Sequence, residues 1–114
     1  MEEYTTRQNK ISRLIQKELS EMLRRETPIL AKGRILSVTK VRITKDLSFA
    51  RCYLSIFPSI GAAEVLNEIK HHKGRLRGEI GNHTRHQLRI VPELDFFIDD
   101  SLDYIDNIDR LLHQ

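Results

Sequence analysis

Apolar residues at Ile11, Leu14, Ile15, Leu19, Met22 and Leu23 recur at three- and four-residue steps. That rhythm predicts an amphipathic helix from Thr5 to about Arg25. Thr27-Pro28 is expected to end it, because the residue before a proline avoids the helical region. At about 100° per residue, Lys10, Arg13, Lys17 and Arg24 gather opposite the apolar stripe.

After Gly33 the period changes. "RILSVTKVRIT" (34–44) and "DLSFARCYLSIF" (46–57) are rich in β-branched and aromatic residues, and Lys45-Asp46 makes a turn between them. They predict an antiparallel hairpin. In its second strand Ala50, Cys52, Leu54 and Ile56 alternate onto one face, assigned to the core. Phe49, Arg51, Tyr53 and Phe57 share the other face. Aromatics beside arginine can stack bases, but a covering helix is the expected fate of this patch.

Pro58-Ser59-Ile60-Gly61 breaks the strand, and "AAEVLNEIKHH" returns to helical spacing through Ala62, Val65, Leu66 and Ile69. "LRIVPELDFFI" (88–98) then alternates at Leu88, Ile90, Leu94, Phe96 and Ile98, predicting a third strand with an edge or bulge at Pro92. Ser101 can cap a last segment whose Leu102, Ile105, Ile108 and Leu112 oppose Asp103, Asp106 and Asp109. The pattern predicts an α+β domain over residues 1–114, with a core to residue 98 and an acidic helix over 99–114.

Charge sharpens this picture. Residues 1–92 hold 18 Lys/Arg against 9 Asp/Glu, a net +9; residues 93–114 hold 1 against 7, a net −6. A basic body with an acidic tail suits a polyanionic partner. One cysteine, Cys52, cannot form an internal disulfide, which favours a reducing compartment. The start "MEEYTTRQNK" lacks the apolar core of a signal peptide, and no run reaches the ~20 apolar residues of a membrane span. The expected setting is cytoplasmic.

"HHKGRLRGEIGNHTRH" (71–86) places three glycines in a basic helical stretch. Each glycine inside a helix costs on the order of 1 kcal/mol against alanine. Gly74, where the apolar rhythm lapses, is expected to be a helix terminus and sharp turn with left-handed backbone values. A second helix then starts near Arg75, with Leu76, Ile80 and His83 toward the core. Arg75, Asn82, Arg85 and His86 lie opposite, and Gly78 and Gly81 allow a close backbone approach from the flank. The literal GxxG at Gly78–Gly81 is set aside as a phosphate loop: Ile80 is needed for the core and Glu79 repels phosphate.

Helix–strand–strand–helix–helix–strand resembles a type II KH domain, an RNA-binding fold whose three-stranded sheet carries its helices on one face. More closely, the chain resembles the ribosome-binding factor A family. The carrying residues are Arg7 with Ile11, Leu14, Leu19 and Leu23; "DLSFARCYLSIF"; Gly74-x-Leu76-Arg77-x-Glu79-Ile80-Gly81; and "LRIVPELDFFIDDSLDYIDNIDRLL" (88–112). The family's Ala-x-Gly kink falls here on His72-Lys73-Gly74, where histidine replaces alanine.

The resemblance implies a non-enzymatic, monomeric assembly factor, linked to cold adaptation. It would bind 16S ribosomal RNA in the small ribosomal subunit or its precursor and assist RNA maturation. Lys70, Lys73, Arg75, Arg77, Arg85 and Arg89 are the expected phosphate contacts around the Gly74 kink. Lys10, Arg13 and Lys17 extend that surface, and Arg7 matches a basic position of the family. No cofactor is expected. Two other readings stay open: a protein adaptor using Phe49, Tyr53 and Phe57, and a metal-dependent nuclease using His83, His86, Asp95, Asp99 and Asp100.

Overall fold

The computed structural model describes residues 5–30 and 34–99. The expected acidic helix lies outside the described residues apart from Asp99. The elements run α1 (Thr6–Leu30), β1 (Ile35–Ile43), β2 (Phe49–Phe57), α2 (Ala62–His71), α3 (Lys73–Thr84) and β3 (Glu93–Ile98). This is the α+β order that the hydrophobic pattern predicts.

A reciprocal capping box starts α1. The Thr5 N–H donates to Gln8 Oε1 at 2.9 Å and the Gln8 N–H donates to Thr5 Oγ1 at 3.1 Å, pairing two amides that a helix start leaves open. Gln8 Nε2 then donates to the Ile43 carbonyl at 3.1 Å. This buried amide therefore also fixes α1 to the end of β1. The helix runs past Thr27-Pro28 to Leu30, beyond its expected end. A proline in a last turn forfeits one backbone hydrogen bond, which a terminus tolerates more readily than a helix interior.

The sheet order is β1-β2-β3, with β1 antiparallel and β3 parallel to β2. A register shift between Val38 and Lys40 marks a bulge at Thr39. It reconciles two phases in the strand: Leu36 and Val38 point inward before it, Val41 and Ile43 after it. Gln16 Nε2 donates to the Val38 and Thr39 carbonyls at 3.1 and 3.2 Å, seating α1 against the bulge.

β3 starts at Glu93, five residues later than the start of the predicted strand. Leu88 is buried but Ile90 is 73% exposed, so their alternation is not that of a strand. Pro92 cannot donate a ladder bond, and the first one is made by the Glu93 N–H to the Ser48 carbonyl at 2.9 Å.

The three described helices cover one face of the sheet. Ile15, Leu19, Met22 and Leu23 of α1, Val65 and Ile69 of α2, and Leu76 and Ile80 of α3 share a core with Ala50, Cys52, Leu54, Ile56, Leu94 and Phe96. The opposite face carries Phe49, Arg51, Tyr53 and Phe97. Among the described residues no helix lies over it.

Candidate nucleic-acid interface

The bend between the last two helices sits at His72 (φ −99°, ψ 7°) rather than at Gly74. The His72 N–H closes α2 on the Ile69 carbonyl at 3.0 Å, and its own carbonyl accepts the Leu76 N–H at 2.9 Å to open α3. Gly74 lies within the first turn of α3 and has no positive φ. A methyl group there, or at Gly78, meets open space; of the three glycines in α3, only Gly81 would bring it against a neighbour, the Val91 side chain. The close approach expected at Gly78 is thus not made. Among the described residues, Gly61 is the glycine with a left-handed backbone, at φ 79°, and it precedes α2.

α3 lies antiparallel against α1, as three polar side-chain contacts record. Arg75 meets Glu26 at 2.6 Å, Arg25 meets Glu79 at 3.7 Å and His83 Nδ1 meets Glu18 at 3.0 Å. Arg75 also reaches Glu79 at 3.1 Å. His83 is therefore exposed and engaged with α1, not turned to the core. Thr84 takes the buried place one turn after Ile80, its hydroxyl donating to the Ile80 carbonyl at 2.6 Å. Arg77 is also occupied: its guanidinium donates to the Val91 carbonyl at 2.7 Å and to that of Pro92 at 3.2 Å.

A different set of cations converges at the other end of α1. Arg7, Lys10, Arg13 and Lys17 follow one another at helical spacing along the wall of an open groove of about 970 Å³. The β1–β2 turn brings Lys45 to it, and the loop between α3 and β3 brings Arg89. Ile11, Leu14, Ile43, Leu47 and Leu88 supply the apolar part of the lining.

Asp46 is the one acid in this lining, and it serves its own turn. Its Oδ1 accepts the Ser48 hydroxyl at 2.7 Å, the Thr44 hydroxyl at 2.7 Å and the Ser48 N–H at 3.1 Å. Those bonds, the Ser48 hydroxyl first, hold its carboxyl below the ordinary value of 3.8. Leu47 completes the turn at φ 62°.

None of the six groove cations is ion-paired among the described residues, whereas Arg25 and Arg75 are. Six like charges around one apolar floor repel one another and concentrate a positive field, the arrangement that an external polyanion relieves. Along α1, Lys10 and Glu26 are about 24 Å apart at 1.5 Å per residue. The expected single cationic surface is therefore two: the groove, with Arg7, Lys10, Arg13, Lys17 and Arg89, and the α2–α3 bend, with Lys70, Lys73, Arg75 and Arg77. Arg85 lies at the far end of α3 and is exposed.

The family model described as "Ribosome-binding factor A" matches residues 7–112, beginning at the first groove cation. The chain belongs to the ribosome-binding factor A family. A ribosome-binding factor A of Christiangramia forsetii is 48% identical over 111 residues, covering 95% of this chain and 83% of that protein. One of Flavobacterium psychrophilum is 46% identical over 111 residues, covering 95% and 84%.

Among solved structures, a putative ribosome-binding factor A of Thermotoga maritima superposes with a TM-score of 0.66 at 26% identity. It covers 85% of this chain and 91% of that one. The crystal structure of ribosome-binding factor A from Thermus thermophilus superposes with a TM-score of 0.68 at 21% identity, covering 83% and 97%, and shows the shared fold.

Within this ribosome-binding factor A fold, the residues of the metal reading are dispersed. His83 is held by Glu18, and the Asp99 carboxylate accepts the Thr39 hydroxyl at 2.6 Å; Asp100 is outside the described residues. No three His, Cys, Asp or Glu side chains converge as metal ligands among the described residues. No helix there is long and apolar enough to cross a membrane.

Sequence reasoning missed Lys45 as a groove residue. Its signal was available, since a turn lysine beside the first helix's basic side needs only that helix to lie on the hairpin.

Proposed function

We propose that the protein binds 16S ribosomal RNA of the small ribosomal subunit, or of its precursor, and assists maturation of that RNA by binding alone. The observation that carries this reading is the groove: six cations from three segments, without acid partners among the described residues. The family name of the relatives supports a ribosomal partner, and ribosomal RNA supplies the phosphates. Lys70, Lys73 and Arg85 add outlying phosphate contacts. Arg75 and Arg77 contribute less, because each is already held by carboxylates or carbonyls.

The work done is selection among RNA arrangements. A bound factor shifts a folding equilibrium by its differential affinity for the two states, so a rigid groove favours the backbone path that satisfies all its cations. The protein acts as a cytoplasmic monomer and needs no cofactor.

Reversing Lys10 and Arg13 together to glutamate tests the assignment. Binding to purified small-subunit precursors should weaken, and the slope of log affinity against log salt should fall by about two units, one for each lost phosphate contact. Reversing Arg75 alone should change the slope less. An unchanged slope in the groove variant refutes the reading.

A further inference from the structure

The cations of the groove account for its rim and leave its floor unexplained. Lys10, Arg13, Leu14 and Lys17 share one face of α1 at steps of three and four, so a leucine stands inside the cationic stripe. Leu14 is half-buried, and Ile90, from the loop before β3, is 73% exposed. Leu14, Leu88 and Ile90 belong neither to the core cluster nor to the half-buried residues packed on it, yet all three line the groove. Gln87 joins them there. It is exposed, and its side-chain amide has no hydrogen-bond partner among the described residues. The polar groups of the neighbouring turn, Asp46 and Ser48, are by contrast bonded to each other.

A phosphate gains nothing from this floor, since setting an anion against aliphatic carbon strips its water without return. A duplex brings little else, because its bases are stacked inside and it meets a protein with sugars and phosphates. An unpaired nucleotide carries both halves of the match: a phosphate for the rim and a flat, largely apolar base for the floor. The cavity of about 970 Å³ lies at the upper end of the roughly 300–1,000 Å³ of ligand pockets, so a base fits within it.

We infer that the groove takes single-stranded RNA, with a base turned inward onto Leu14, Leu88 and Ile90 and its edge bonded to Gln87. The glutamine amide offers a donor and an acceptor side by side, the pattern with which glutamine pairs a base edge. The phosphates flanking that base pair with Lys10, Arg13 and Arg89. This inference rests on the groove reading proposed above and adds which form of RNA the groove holds.

Fluorescence anisotropy with a labelled single-stranded RNA octamer, and with the same sequence paired in a duplex, tests it through the ratio of the two affinities. The native chain should favour the single strand. Leu14→Gln with Ile90→Gln, neither of them in the core cluster, should lower that ratio about tenfold, the scale of uncovering two aliphatic side chains. Gln87→Leu keeps the floor apolar, removes the amide and should lower the ratio about fivefold, the scale of one hydrogen bond. A ratio unchanged in a Leu14/Ile90 variant with native circular dichroism overturns the inference, as does a native chain that prefers the duplex. Loss of binding to subunit particles with the naked-RNA ratio intact also overturns it, and marks a protein contact. The Lys10/Arg13 variant keeps the two proposals apart. If its salt slope falls while the Leu14/Ile90 ratio holds, the groove binds phosphates and this inference alone fails. If its slope is unchanged on both RNAs, the failure is that of the groove reading itself.

Discussion

The Arg77 guanidinium donates to the Val91 carbonyl oxygen at 2.7 Å, and so ties the middle of α3 to the loop that leads into β3. Beside it Gly81 faces the Val91 side chain, where an added methyl would sit 3.3 Å away. Together they hold the segment that carries Leu88 and Arg89 toward the groove.

Removing this clamp should cost stability before it costs RNA binding. Arg77→Ala is expected to lower unfolding free energy by about 1 kcal/mol, the scale of a charge-assisted hydrogen bond discounted for exposure. Urea titration reads this directly. A salt slope reduced as strongly as in the Lys10/Arg13 variant would return Arg77 to the phosphate contacts.

Glycines that look alike in sequence should respond with opposite signs. Gly61→Ala forces a side chain into a left-handed backbone beside the Arg34 guanidinium and should destabilise by about 1–2 kcal/mol. Gly78→Ala puts a methyl into open space inside α3 and should stabilise by up to about 1 kcal/mol. Thermal midpoints that move in the same direction for both would contradict the geometry.

The β1–β2 turn should weaken only in strong acid. Asp46 has a folded pKa below its ordinary value of 3.8, so its contribution is fully present above that value and fades as pH falls through the folded one. The Ser48 amide, donated to Asp46, should keep its NMR shift from pH 7 down to that range and move below it. Asp46→Ala should abolish the movement. A Ser48 transition well above 3.8 would refute the cause.

Cys52 should be inert in the native protein. Burial, and secondarily the Asp95 charge, push its thiol up to about 12, leaving negligible thiolate at pH 8. Iodoacetamide followed by mass spectrometry should leave Cys52 unmodified until urea unfolds the chain. Rapid native labelling would show a core more open than the fully buried side chain implies.

The six core elements of the fold were readable because burial imposes a period. Ala50, Cys52, Leu54 and Ile56 alternate, and Leu14 aside, the stripe of the first helix packs on the core as its spacing requires. Errors arose where a single residue's phase mattered. The bulge at Thr39 shows in the sequence only as a step of three from Val38 to Val41, where an unbroken alternation steps by two. His83 and Thr84 differ by one position, and only the packing of α3 on α1 sends the histidine to Glu18 and the threonine inward.

Local sequence determined the element order, the core stripes and the surplus of cations, since these depend on spacing and composition along one segment. Only the tertiary structure decided which cations stand together. Arg89 and Lys45 join Arg7, Lys10, Arg13 and Lys17 because separate segments fold to one end of α1, while Arg75 meets Glu26 at the other. Charges interact through space, and their spatial neighbours are set by how the elements pack.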